Sequence, residues 1–234
     1  MNYITLGYEN LLTISLAILG TIIVLLAQIK IKVSYAKNKI IQNKKNLTGF
    51  DAARMILDNH GLENVHIVEV NGELADHYDP TRKVVRLSKE IFHGSSIASV
   101  SIAAHECGHA IQDQENYSFM RIRSSLVPIV NFISGSGFLV ILISLIAGIT
   151  GYLMYGILMV LASLIFQLVT LPVEFDASNR ALKQLKQLNI VDEKELDNSK
   201  EVLSAAAMTY VASVLSSLLS LIRLILMYKD NKDR

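Results

Sequence analysis

Cysteine is scarce in this chain, and its scarcity limits how a metal ion could be bound. Cys107 is the single cysteine among 234 residues, which excludes an internal disulfide framework and a cysteine-rich zinc site. A transition metal would therefore need histidine and carboxylate ligands. Proline occurs three times, tryptophan is absent, and we find no low-complexity tract or internal repeat.

Charge of one sign is also lacking. The 22 basic and 21 acidic residues give a formal net charge of +1, so no nucleic-acid partner is expected. Apolar residues, in contrast, make up 51% of the chain, and the mean hydropathy is +0.38. This composition is too apolar for an ordinary soluble domain of this length and predicts a membrane protein with the lipid bilayer as a partner.

The first uncharged run covers residues 11–29 and reads LLTISLAILGTIIVLLAQI. As a helix it matches the hydrocarbon core of a bilayer, which is about 30 Å thick. Lysines follow the run rather than precede it, which argues against a cleaved signal peptide and places the N-terminus outside and the lysines in the cytoplasm. The six lysines are Lys30, Lys32, Lys37, Lys39, Lys44 and Lys45.

Three further apolar runs predict about four transmembrane helices in total. Residues 129–150 and 152–171 form a hairpin that turns at "GITG" (148–151), and residues 205–228 form a fourth helix with Arg223 near an interface. A helix packed within the protein core is the alternative for the fourth run. The predicted organisation is an anchor (1–30), a cytoplasmic domain (31–128), a hairpin (129–171), cytoplasmic helices (172–204), and a C-terminal transmembrane helix with its tail (205–234).

Residues 46–120 form the one long stretch of mixed polarity and predict a small α+β domain. The expected order is a helix, a strand over 65–70, turn residues over 71–80, a strand over 83–88 and a second helix. The residues that would cap or end these helices are Thr48 or Asp51, Gly61, and Ser95 or Ser96.

The second helix carries "AAHECGHAIQDQ" (103–114), the stretch with the clearest chemistry. His105 and His109 are four residues apart, so both rings lie on one helix face and can bind one metal ion at about 2.0–2.1 Å. Glu106 lies on the adjoining flank, where it can take a proton from water and later pass it to a leaving amine. Gly108 allows another element to pack closely. The pattern predicts peptide hydrolysis.

Catalytic zinc normally has three protein ligands, so a third is needed. Position 115 is a glutamate and no histidine follows His109, which leaves carboxylates. Glu174 in "LPVEFDASNRAL" is the best candidate, because the hairpin returns it to the level of the histidines and Pro172 suits the first turn of a helix. Asp176 is the second choice and points to a different face.

Three stretches together, "DHYDP", "AAHECGHAIQ" and "LPVEFDASNRAL", resemble the bacterial YugP-like neutral zinc metallopeptidases from residue 48 to about 210. More distantly the chain resembles gluzincin peptidases of the heat-shock and CAAX-processing type. The resemblance implies a multi-pass protein of the bacterial cell membrane with one zinc ion. His105, His109 and Glu174 would be its ligands and Glu106 its general base. Those distant relatives usually have an aspartate where this chain has Ser178, so the support of the histidines is left unassigned.

Two further positions are open to more than one interpretation. His77 or Tyr78 could stabilise an oxyanion, although a structural role is the more common one for such a residue. Cys107 is expected to be a small buried residue that faces away from the histidines.

The leading hypothesis is a membrane-embedded zinc metalloendopeptidase with a zincin-like cytoplasmic domain, acting on a protein or peptide. The alternatives are an intramembrane metalloprotease, in which the two-histidine helix lies in the bilayer, and a membrane scaffold with structural zinc or none. A glutamate at position 106 speaks against the scaffold, which needs no proton acceptor there.

Overall fold

The computed structural model describes the backbone of residues 3–73, 75–146 and 152–232, and the side chains of residues 11–73, 75–133 and 153–230. Helices dominate these residues, and one small sheet accompanies them, as the composition predicts. In chain order the elements are α1 (Tyr3–Lys39), α2 (Gly49–Asn59), β1 (His66–Val70), β2 (His77–Asp79), β3 (Val84–Ser88), α3 (Lys89–His93), α4 (Ile97–Gln114), α5 (Ser118–Ile146), α6 (Tyr152–Gln187) and α7 (Glu193–Lys232).

Side-chain caps fix where three of the helices begin. Thr48 and Asp51 form a reciprocal capping box at α2, and the Ser96 hydroxyl accepts a hydrogen bond from the backbone N–H of Ser99 at α4. At the beginning of α7, the side chains of Asp192 and Glu195 each accept a hydrogen bond from the other residue's backbone N–H, at 2.9 and 2.8 Å. Each cap satisfies backbone donors that the first helical turn leaves without a partner.

The sheet has the order β1-β3-β2, with β1 parallel and β2 antiparallel to β3. We expected turn residues where β2 lies, and this expectation is wrong for His77–Asp79, which pair with Val84–Arg86. Three residues are too few to show the alternation of polar and apolar side chains by which a strand is recognised. Strand β2 therefore becomes visible only through its pairing with β3.

The structure divides into two compact units. Unit 2 comprises residues 29–121 and 171–208 and contains the sheet, α2, α3 and α4, and a buried apolar core. Its most deeply buried large side chains include Ile56, Leu87, Ile97, Ile111 and Leu185.

Unit 1 comprises residues 1–28, 122–170 and 209–234, and its described residues lie in helices. Among the residues whose side chains are described, three helical stretches are long and apolar enough to cross a membrane: Leu11–Lys39, Leu153–Gln187 and Glu193–Asp230. The predicted hairpin turn at residues 148–151 lies outside the described residues. Most of the second apolar run lies where side chains are not described, so four transmembrane helices stay a prediction.

Helix α6 corrects one expectation. We placed Pro172 in the first turn of a new helix, but it lies inside α6, which continues to Gln187. A proline inside a helix costs about 3 kcal/mol because it removes a hydrogen bond and crowds the preceding turn. Packing offsets this cost, since a row of side chains four residues apart is fully buried beyond the proline: Val173, Ala177, Ala181 and Leu185.

Three of the six lysines after the first apolar run form ion pairs within unit 2. Lys37 contacts Glu201 at 2.7 Å, Lys39 contacts Glu90 at 2.5 Å, and Lys44 pairs with Asp192. These lysines therefore also join the end of α1 and the segment after it to α3 and to the beginning of α7.

Candidate metal centre

Helix α4 holds both histidines of the motif on one face. The helical spacing places the rings of His105 and His109 with centroids 4.8 Å apart and planes at 83°. Both side chains are largely buried, with 14% and 9% of their surface exposed. The two rings therefore border one small space that is mostly shielded from solvent.

A close contact between α4 and α6 sets the distance of the histidines from the second helix. A Cβ atom at Gly108 would lie 2.6 Å from the carbonyl oxygen of Ala177, a separation that side chains do not adopt. Glycine is thus required at this position for the observed approach of the two backbones. The sequence predicted that Gly108 permits close packing, and α6 is the element that packs there.

Glu174, one helical turn before Ala177, reaches both histidines from α6. Its Oε2 atom lies 3.3 Å from Nε2 of His105 and 3.7 Å from Nε2 of His109. The three residues each offer a ligand atom within 4.8 Å of the others. The structure thus brings together the three residues that the sequence analysis selected as ligands, although Glu174 follows the two histidines by 69 and 65 residues.

The three side chains fit a metal ion. Zinc bonds of about 2.0–2.1 Å in a tetrahedron separate ligand atoms by about 3.3–3.4 Å, close to the shorter of the two observed separations. A distance of 3.7 Å is too long for a direct hydrogen bond between His109 and Glu174. Two imidazoles and one carboxylate form a ligand set typical of catalytic zinc, which keeps a fourth position for water. The cluster can therefore hold a metal ion.

Both histidines have a hydrogen-bond partner at the ring nitrogen that faces away from Glu174. The Ser178 hydroxyl lies 3.2 Å from Nδ1 of His105, and the Gln112 side-chain oxygen lies 2.9 Å from Nδ1 of His109. Such partners orient metal-binding rings. Gln112 was missed by the sequence analysis, because nothing in the motif distinguishes a glutamine that contacts a histidine from one that faces solvent.

Asp176, the second choice for the third ligand, is engaged elsewhere. Its Oδ2 atom accepts hydrogen bonds from Gln112 at 2.8 Å and from Arg180 at 2.5 Å. Arg180 also contacts Glu115 at 2.7 Å. These contacts make Asp176 part of the connection between α4 and α6 that surrounds the histidines.

Glu106 directly follows His105 in the sequence, and its side chain is buried. The pKa of its carboxyl group is raised to about 7, chiefly by burial and in smaller part by the carboxylates of Glu174 and Asp76. The positive charge that His105 can carry and a hydrogen bond from the backbone N–H of Tyr78 act in the opposite direction. A carboxyl group in this environment is suited to exchange protons near neutral pH.

The two candidates for oxyanion stabilisation have different surroundings. The buried Tyr78 hydroxyl donates a 2.9 Å hydrogen bond to Asp113, and burial raises the pKa of that hydroxyl well above its ordinary value. His77 is exposed, and its Nδ1 lies 2.8 Å from the carbonyl oxygen of Ala75. The oxyanion role of either residue stays a prediction.

Cys107 is fully buried, with its sulfur 3.6 Å from the carbonyl oxygen of Ala53 on α2. Burial raises the pKa of the thiol, which disfavours the reactive thiolate. These surroundings suit the small buried residue that we expected at this position.

Comparison with known proteins agrees with this chemistry. Residues 13–229 match the family described as "putative neutral zinc metallopeptidase". The chain belongs to this family. It is also 42% identical over 207 residues to the "putative membrane protease YugP" of Bacillus subtilis (strain 168), an alignment that covers 88% of this chain and 92% of the relative. No solved structure matches the chain.

Proposed function

We propose that this chain is a membrane-embedded zinc metalloendopeptidase, in which His105, His109 and Glu174 hold one zinc ion in a zincin-like domain. The observation that carries the proposal is the convergence of these three side chains, with their ligand atoms within 4.8 Å of one another. Family membership supports zinc and peptide hydrolysis. The printed description of the Bacillus subtilis relative supports a membrane location.

When bound, zinc supplies a Lewis acid that polarises the peptide carbonyl group and makes water a nucleophile near neutral pH. The two histidines present their Nε2 atoms, and Glu174 presents its carboxylate across the contact between α4 and α6. Glu106 acts as the general base, which takes a proton from the attacking water and returns it to the leaving amine. Because Glu106 is buried, its carboxylate lacks bulk water that would compete for this proton.

Replacement of Glu106 by glutamine separates the role in proton transfer from metal binding. Glutamine keeps the shape of the side chain but cannot accept the proton, so we expect peptide cleavage to fall by about 10²–10⁴-fold. Zinc content, measured on the detergent-solubilised full chain, should stay at the wild-type level. The control is Glu63→Gln, a change at an exposed glutamate, which should alter neither quantity. Cleavage at the wild-type rate by Glu106→Gln would exclude Glu106 as the base.

We further propose four transmembrane helices in the bacterial cell membrane, with the N-terminus outside and the metal centre on the cytoplasmic side. Support comes from the six lysines that follow the first apolar run, since basic residues favour the cytoplasmic side. The three apolar helical stretches supply three of the spans, and α5 includes residues 129–146 of the second apolar run.

Labelling with a membrane-impermeant maleimide tests this orientation. In a Cys107→Ala background, a cysteine that replaces the exposed Asn71 should react in inverted vesicles and be protected in right-side-out vesicles. A cysteine that replaces Asn2 should show the opposite pattern. Labelling of position 71 in right-side-out vesicles would contradict the cytoplasmic location.

A further inference from the structure

Gln112 occupies an unusual place for a glutamine, because its side chain is fully buried and makes three hydrogen bonds. The side-chain oxygen lies 2.9 Å from Nδ1 of His109 on the same helix. The side-chain nitrogen donates to the carbonyl oxygen of Val173 and to Oδ2 of Asp176, both at 2.8 Å. One carboxamide thus contacts a candidate metal ligand on α4 and the segment of α6 that carries another.

The identity of these partners fixes the orientation of the amide. A backbone carbonyl and a carboxylate can only accept hydrogen bonds, so the group that faces Val173 and Asp176 must be the NH₂ group. The side-chain oxygen must then face His109. That oxygen is itself only an acceptor, which requires a proton on Nδ1 of His109, and in the neutral ring the lone pair then lies on Nε2.

The two residues of α6 that accept hydrogen bonds from Gln112 lie on either side of Glu174 in the sequence. Val173 immediately precedes Glu174, and Asp176 follows two residues later. Asp176 is held in turn by Arg180, which also contacts Glu115 at the end of α4. Gln112 therefore joins the ring of one candidate ligand to the backbone beside another.

The position of the ring proton is less constrained in His105 than in His109. Its Nδ1 partner is the Ser178 hydroxyl at 3.2 Å, and a hydroxyl group can either donate or accept a hydrogen bond. Ser178 therefore does not decide which ring nitrogen of His105 carries the proton. The two histidines of the motif thus differ in how firmly their surroundings prepare them to bind an ion.

We propose that Gln112 is a positioning residue of the metal centre, which holds His109 with its Nε2 lone pair free and keeps that ring in register with Glu174. The inference rests on the proposed function, since a prepared Nε2 atom matters only where an ion is bound. Gln112 acts through His109 and the backbone of α6 and takes no part in proton transfer. Its contribution is to metal affinity and to the geometry of the bound ion.

Replacement of Gln112 by methionine, which has a similar size and cannot form these bonds, tests the proposal. We expect zinc affinity, measured on the full chain by competition with a chromophoric chelator, to fall by about 10- to 100-fold. Gln184→Met is the matched control, because Gln184 is a second buried glutamine, on α6, whose side-chain oxygen has no hydrogen-bond partner among the described residues. It should leave zinc affinity unchanged. Ser178→Ala should lower the affinity by less than Gln112→Met does.

The absorption spectrum of the cobalt-substituted protein gives a second reading on the same variants. Gln112→Met should alter the ligand-field bands of cobalt, since the ring of His109 is then free to rotate, and Gln184→Met should not. Equal zinc affinities and equal cobalt spectra for the wild type, Gln112→Met and Gln184→Met would overturn the proposal.

A measurement on the metal-free wild type keeps the proposal testable even if Gln112→Met does not fold. The ¹³C shifts of a labelled imidazole distinguish its two neutral tautomers, and the His109 signal is assigned by its loss in His109→Gln. We expect His109 to carry its proton on Nδ1. A proton on Nε2 of His109 would overturn the proposal regardless of how any variant behaves.

The outcomes also separate this proposal from the proposed function. A wild-type chain that binds no zinc contradicts the proposed function, whatever the tautomer of His109. If the wild type and Gln112→Met bind zinc equally tightly, only the role of Gln112 is contradicted.

Discussion

The two halves of α6 follow opposite rules of burial. In the half that belongs to unit 1, large apolar side chains are exposed: 53% for Leu158, 48% for Ile165 and 50% for Leu168. In the half that belongs to unit 2, a carboxylate is buried, since Glu174 is 2% exposed. Water favours neither arrangement. The first half requires an apolar solvent, and the second requires positive charge or hydrogen-bond donors beside the carboxylate.

This contrast connects the membrane and the metal in one physical account. Lipid would satisfy the apolar half of α6, because a span of about 20 apolar residues matches the thickness of a bilayer. A divalent cation bound as proposed would satisfy the buried half, because it would supply charge to Glu174 that two neutral imidazoles do not. Changes in the two halves should therefore have different consequences.

Loss of the buried carboxylate should have the largest effect. Glu174→Ala removes one of three candidate ligands, so zinc affinity should fall by about 100-fold or more, which corresponds to about 3 kcal/mol. The measurement is chelator competition on the purified full chain. Glu193→Ala is the control, because Glu193 is exposed and pairs only with exposed Lys186 among the described contacts. Full zinc occupancy in Glu174→Ala would remove this residue from the site.

A charge in the apolar half should have the next largest effect. Leu161 is 39% exposed and lies near the middle of that half. A lysine at this position would cost about 2.5–3.5 kcal/mol at the centre of a bilayer. We expect Leu161→Lys to lower the fraction of the chain that resists extraction from membranes at high pH. Leu161→Met should behave as the wild type. In the other half, Lys183→Leu changes an exposed charged residue and should shift stability by less than about 0.5 kcal/mol. Normal integration of Leu161→Lys would mean that this face does not meet lipid.

An added methyl group should have the smallest effect, and its sign should differ between two glycines. Gly108→Ala places a Cβ atom 2.6 Å from the carbonyl oxygen of Ala177, so the helices must separate at a cost of about 1–3 kcal/mol. Gly156→Ala, in the apolar half of α6, meets nothing closer than Leu224 at 3.8 Å and should be neutral or stabilising by up to about 1 kcal/mol.

Thermal unfolding and zinc affinity of the two glycine variants check this difference. Gly108→Ala should lower both the melting temperature and the affinity, because the contact it disturbs holds Glu174 beside the histidines. Equal melting temperatures for Gly108→Ala and Gly156→Ala would show that the contact between α4 and α6 is looser than the structure indicates.

Local signals in the sequence were sufficient for the parts of the fold that depend on neighbours along the chain. The capping residues Thr48 and Ser96 act within three positions, so the beginnings of α2 and α4 could be predicted. The four-residue spacing of His105 and His109 likewise places both rings on one face wherever the helix forms. The choice of Glu174 needed two further steps, namely the apolar hairpin and the ligand count of zinc, and the structure places it beside the histidines.

Features that depend on distant contacts were not predictable in the same way. The role of Gln112 arises from Val173 and Asp176, which are 61 and 64 residues away. Strand β2 exists because it pairs with β3, and α6 continues through Pro172 because the residues beyond it are buried in the core. In each case tertiary packing outweighs the local preference, and a single sequence does not display that packing.

X-ray absorption at the zinc edge of the loaded full chain tests whether His105, His109 and Glu174 hold one zinc ion. We expect one zinc ion per chain, with only nitrogen and oxygen ligands at about 2.0–2.1 Å and the scattering pattern of two imidazoles. That pattern should be lost in a His105→Ala, His109→Ala double variant. A chain that binds no zinc, or a zinc ion with a sulfur ligand from Cys107, would contradict the account.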